Sequence, residues 1–127
     1  GLDIDTSHCR GNLDYLRACG AFPKGDPALI EFDQFRPDTE ELRERLNGRT
    51  IDIVIDDGYH SAETIDNTMT ALRPLLSRTG VYFVEDNSTI GERLEDTVTW
   101  AGVHCHDELT VLEWDLNVRQ RLKRRYR

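Results

Sequence analysis

No stretch of this 127-residue chain approaches the ~20 consecutive apolar residues that a bilayer-spanning helix requires. The opening GLDIDTSHCR does not read as a secretory leader, being short, mixed and charged where an apolar core would be expected. Cysteine is scarce. Cys9, Cys19 and Cys105 form neither an even framework nor a CxxC pair, which points to reduced thiols in a cytoplasmic protein. The His104-Cys105-His106 run lacks the paired spacing of zinc sites, and strand alternation sends the two histidines to one face and the cysteine to the other. With no internal repeat, no low-complexity tract and no linker rich in Gly, Pro or Ser, a chain of this length is expected to be one domain.

Positive charge is also in short supply. The chain has 16 Lys and Arg against 24 Asp and Glu, a formal net charge of −8. Six of those bases lie in residues 117–127 (NVRQRLKRRYR), a tail without acids, so the body is more acidic still. Such a body argues against general nucleic-acid binding, which needs a basic face to displace counterions from phosphates. The tail could meet a phosphate or an acidic neighbour, or form a solvated helix end.

What is present is alternation of strand and helix patterns. GLDID reads as the end of a strand, and 7–20 as a helix with Leu13 and Leu16 near helical spacing and Gly20 as its stop. ALIEF (28–32) is a short strand. Asp38 with Glu41 forms a capping box for a helix ending at Asn47-Gly48. IDIVID (51–56) is β-branched almost throughout, as expected of a central parallel strand covered on both faces. Ser61 caps a helix whose Ile65, Met69, Leu72 and Leu76 make one apolar stripe, and Pro74 should end it. GVYFVED (80–86) is a strand, 90–101 a helix and LTVLEW (109–114) a last strand. This order predicts an α/β fold: a Rossmann-like, doubly wound, mostly parallel sheet with helices on both faces.

In such sheets ligands bind beyond the carboxyl ends of the strands. The acidic clusters sit at strand ends: Asp3 and Asp5, Asp33, Asp56 and Asp57, Glu85 and Asp86. Carboxylates converging on one rim repel unless a cation joins them, and Mg²⁺ prefers a few carboxylates plus water and substrate oxygens. Asp57, Glu85 and Asp86 are the candidate ligands; the other reading is that these acids cap helix N-termini. His60, three residues after Asp57, is a candidate general base, since imidazole titrates at ~6.5. It could equally be a helix-entry residue bonded to backbone. Gly58 permits a sharp turn or a close approach.

IDDGYH and VEDN (84–87), supported by GLDID, FDQF and the spacing through RPLLSRTGVYFVED, resemble S-adenosylmethionine-dependent O-methyltransferases of the macrocin and mycinamicin type, which methylate sugar hydroxyls on macrolides. The resemblance spans about residues 1–115. It implies Mg²⁺ held by Asp57, Glu85 and Asp86, and His60 deprotonating the acceptor hydroxyl. It further implies Asp3 on the cofactor ribose, Asp33 and Gln34 flanking the adenine, and Asp56 at the cofactor edge. Tyr59 stands where serine is usual. The family's first strand and glycine-rich loop would precede Gly1, so residues 1–116 are expected to be an N-terminally incomplete methyltransferase domain, followed by the basic tail. The implied partner is a small-molecule hydroxyl acceptor, a glycosylated natural product, with no nucleic acid and no membrane; a second copy of the chain stays open as a partner. Two rival readings keep the fold: a non-catalytic binding module, and a Mg²⁺-dependent hydrolase using the same acids.

Overall fold

The computed structural model describes residues 1–113. The basic tail and Trp114, the last residue of the expected final strand, lie outside them. The element order is β1 (Leu2–Asp3), α1 (Ser7–Ala18), β2 (Ile30–Glu31), α2 (Thr39–Leu46), β3 (Ile51–Asp56), α3 (Ala62–Leu72), a 3₁₀ turn (Arg73–Leu75), β4 (Leu76–Val84), α4 (Ile90–Thr97), β5 (Gly102–His106) and β6 (Leu109–Glu113). It is the α/β, Rossmann-like order that the alternation predicts.

Local signals act where the sequence places them. Asp38 accepts from the Glu41 amide at 3.0 Å and opens α2, which Asn47 closes in the left-handed region. The Ser61 hydroxyl accepts from the Thr64 amide at 3.1 Å and opens α3. Ile65, Met69 and Leu72 are buried on one face of that helix. Leu76 does not extend the stripe, because Pro74 turns the chain into the 3₁₀ segment and Leu76 begins β4.

The strands fall into two groups. β1 and β2 pair in parallel, while β3, β4, β6 and β5 form a four-stranded sheet in that order. β3 and β4 are parallel; β4–β6 and β6–β5 are antiparallel. The sheet is therefore more mixed than expected. Only Asp107 and Glu108 join β5 to β6, and a two-residue link permits antiparallel pairing alone. The preceding helix ends at Thr97, short of the expected 101, because Val98 turns to extended backbone.

A cavity of about 780 Å³ is lined by both β1 and β3. The expectation that β3 is covered on both faces fails here. Val54 and Asp56 are buried, whereas Ile53 and Ile55 on the opposite face are 62% and 63% exposed and line the cavity. The core lies mainly on the other side of the strand, where Val54, Ile65, Leu72, Tyr82, Val84, Leu94 and Leu112 pack into one cluster.

Candidate metal centre and its cavity

The loops that follow β3 and β4 are stitched together at the carboxyl rim. The Glu85 amide donates to the Asp56 carbonyl at 3.1 Å, continuing the parallel pairing past the last strand residue. Asn87 then ties the loops by side chain, its Nδ2 donating to the His60 carbonyl at 2.8 Å. Its Oδ1 accepts from the amides of Thr89 and Ile90, satisfying the start of α4. His60 and Asp86 both sit at positive φ, +58° and +52°. Such conformations are uncommon outside glycine and cluster at functional sites.

Asp57, His60 and Asp86 are brought together, with one ligand atom from each lying within 4.8 Å of the others. Asp57 and Asp86 are exposed and His60 is half-buried. His60 Nδ1 lies 3.2 Å from the Glu85 carbonyl. A carbonyl only accepts, so Nδ1 carries a proton, and in the neutral form of the ring the lone pair stands at Nε2. That nitrogen lies 3.7 Å from Asp57 Oδ1. Glu85 contributes its backbone to this arrangement, while its carboxylate falls outside the three-residue group. The donor set suits a divalent cation: two carboxylates facing water, with room for further oxygen ligands. Among the described residues no Lys or Arg forms an ion pair with either acid.

Asp3, Asp33, Gln34, Asp56 and Asp57 all line the cavity beside this centre. The Asp3 and Asp33 carboxylates accept local amides, from Asp5 at 3.1 Å and from Phe35 at 2.9 Å, which fixes both at their strand ends. Gln34 and Asp56 are engaged within the protein. Asp56 is only 6% exposed; its Oδ1 accepts from Gln34 Nε2 at 2.8 Å and its Oδ2 from the Tyr82 hydroxyl at 2.7 Å. Burial pushes the Asp56 carboxyl above its usual range, against the opposing pull of those two donors. Tyr82, wholly buried, is pushed far upward by the same burial and by the neighbouring carboxylate.

Three contributors escape sequence reasoning. Tyr82 reads as one more apolar strand residue, and Thr68 as a helix filler. Asn87 stands in the VEDN run, but its double role, on a carbonyl 27 residues back and on the next helix, has no local signature.

No family model matches the chain, and no curated protein matches it. Among solved structures it is similar to MycE methyltransferase from the mycinamycin biosynthetic pathway. With that protein's complex with Mg, SAH and mycinamycin VI it shares 24% identity over 91% of this chain and 36% of that one, at a TM-score of 0.60. The second crystal form, with Mg and SAH, gives 23% identity, the same coverage and 0.60. The chain shares the fold of the matched part of that protein. This chain spans about a third of that protein's length.

Proposed function

We propose that this chain belongs to an S-adenosylmethionine- and Mg²⁺-dependent O-methyltransferase acting on a sugar or polyol hydroxyl of a natural product. The observation that carries the reading is the Asp57–His60–Asp86 group on the carboxyl rim of a methyltransferase fold, next to a cavity bordered by Asp3 and Asp33. The Mg, SAH and mycinamycin VI bound by the similar protein support it.

In this reading Asp57 and Asp86 hold the cation, and Glu85, the third expected ligand, would have to turn its carboxylate in from outside the group. A cation there supplies Lewis acidity and a template for vicinal substrate oxygens. Asp3 and Asp33 receive the nucleoside of the methyl donor, which brings an already activated methyl group. His60 has the right tautomer for a general base: Nδ1–H is committed to the Glu85 carbonyl, and Nε2 is left to accept the acceptor's hydroxyl proton. Positioning is the main catalytic contribution left to the protein.

A second role for His60 rests on the same geometry. Its ring nitrogen lies within the group that could surround an ion, so it could ligate rather than accept a proton. Mg²⁺ and Mn²⁺ favour oxygen donors, which supports the base; a softer ion such as Zn²⁺ or Ni²⁺ would favour the ligand.

The test is transfer of a labelled methyl group from S-adenosylmethionine to glycosylated acceptors bearing vicinal hydroxyls, with and without EDTA. Loss of transfer in EDTA and its return with Mg²⁺ are expected. Full activity in saturating EDTA removes the metal from the reading. Acceptor hydrolysis without any sulfonium donor replaces it by the hydrolase, and neither activity leaves the binding module.

A further inference from the structure

Gln34 lies on the loop after β2, yet its side chain reaches the loop after β3. Its Nε2 donates to Asp56 Oδ1 at 2.8 Å and to Thr68 Oγ1 at 2.9 Å, while its Oε1 accepts from the Tyr59 amide at 2.8 Å. The orientation of the amide is therefore determined. An ionised carboxylate only accepts, so Asp56 selects the NH₂ end and leaves the oxygen for the Tyr59 N–H. Asp56 is itself fixed, since its second oxygen accepts from the wholly buried Tyr82.

The amide also explains Gly58. This glycine is not at positive φ. A Cβ there would fall 2.6 Å from both Cδ and Nε2 of Gln34 and closer still to Oε1. Gly58 is small because the Gln34 amide lies flat against its backbone. Phe35, next along the chain, meets the Tyr59 ring edge-on at 5.3 Å between centroids. Asp57 and His60 flank the two residues held this way.

We propose that Gln34 is a positioning residue: its amide, aimed by Asp56, sets the conformation of residues 57–60 and, through it, the affinity of the Asp57–His60–Asp86 group for a divalent cation. The first half concerns this chain alone; the second rests on the metal reading above. Residues that orient metal ligands without touching the ion typically change affinity by about 10- to 100-fold when lost.

The experiment separates the halves. Amide hydrogen exchange at Tyr59, followed by NMR, reports the clamp without any metal. Mn²⁺ titration, followed by the EPR signal of the free ion, reports affinity. In Gln34→Leu, Tyr59 exchange should accelerate at least about tenfold and Mn²⁺ affinity fall about tenfold, with the β4 amides still protected. Gln34→Glu keeps an acceptor for Tyr59 but sets a second carboxylate against Asp56, and should also weaken Mn²⁺. Adding Asp56→Asn restores a donor opposite Glu while its oxygen still accepts from Tyr82. The double variant should recover Mn²⁺ affinity to within about threefold of wild type. Unchanged Tyr59 protection in Gln34→Leu overturns the clamp. Accelerated exchange with unchanged Mn²⁺ affinity, or no recovery in the double variant, overturns its link to the cation. Wild-type protein that binds no Mn²⁺ overturns that link together with the metal reading, while the Tyr59 amide still decides the clamp.

Discussion

The region from β1 to β2 and the region from β3 to β6 are built to different standards. In the first, α1 buries no residue and only Thr6 and Ile30 are buried within the elements and their connections; Phe32 follows just after. In the second, α3 buries six residues, Tyr82 and Val84 of β4 are fully covered, and Leu94 and Leu112 close the core. The Asp57–His60–Asp86 group stands wholly on the second region. Asp3 comes from the first and Asp33 from the loop that leaves it. Groups that must converge to within a few ångströms stand on the packed frame, and the side of the cavity that would meet an organic ligand is the lightly held one. Low burial goes with low local stability and easy opening.

The strongest challenge to that division is removal of a rim carboxylate. Asp57→Ala and Asp86→Ala should each abolish the proposed Mg²⁺-dependent methyl transfer, and Mn²⁺ binding, while leaving the melting temperature nearly unchanged, since both side chains are exposed. Melting that collapses with activity would mean that the acids hold the fold. His60→Ala comes next. It should lower kcat by roughly 10²- to 10⁴-fold, the usual range for a lost general base, with Mn²⁺ affinity kept. An affinity that falls with the rate reassigns the imidazole as a ligand.

A matched pair of truncations sharpens the comparison itself. Leu94→Ala, at a fully buried position in α4, should cost about 2–5 kcal/mol in denaturant unfolding. Leu13→Ala, half-buried on α1, should cost less than about 1 kcal/mol. Equal costs would refute the division into a packed frame and a loose flank.

The smallest effect is electrostatic. Burial raises the Asp56 carboxyl above its unfolded value, so between the two values the folded chain holds a proton that the unfolded chain has lost. Stability from this group is therefore present below the unfolded value and declines as pH rises through the folded one. Asp56→Asn cannot ionise and lacks that slope. Wild type should lose ground to the variant as pH rises from about 4, and a melting-temperature difference that stays flat would falsify the assignment.

Much of this was legible. A β-branched run ending in acids located β3 and its rim, and Asp38 and Ser61 marked the starts of α2 and α3. The doubled acids invited a reading in which both members face a ligand. Successive residues at a strand end point to opposite sides, and IDD divides accordingly: Asp56 turns inward to Tyr82 and Asp57 faces out. At the end of β4 Asp86, rather than Glu85, joins the group. The Gln34 clamp was not legible, because its partners lie 22 to 34 residues away and no local pattern encodes such pairings. β5 was legible only as the alternation of His104, Cys105 and His106; its extent was not, because an exposed hairpin lacks the β-branched pattern of a covered strand.

The open face of β3 bears on how the protein behaves as a colloid. Among the described residues β3 ends its sheet and has no strand partner on its outer edge; it presents Ile53 and Ile55 beside that edge, the combination through which strands of separate molecules adhere. At pH 7 the net charge of −8 holds copies apart. That repulsion vanishes near the sequence pI of about 4.9 and is screened by salt. Mildly acidic, salt-rich solutions therefore remove the barrier while leaving the adhesive strand in place. Neutral to slightly alkaline buffers of low ionic strength keep the molecule dispersed.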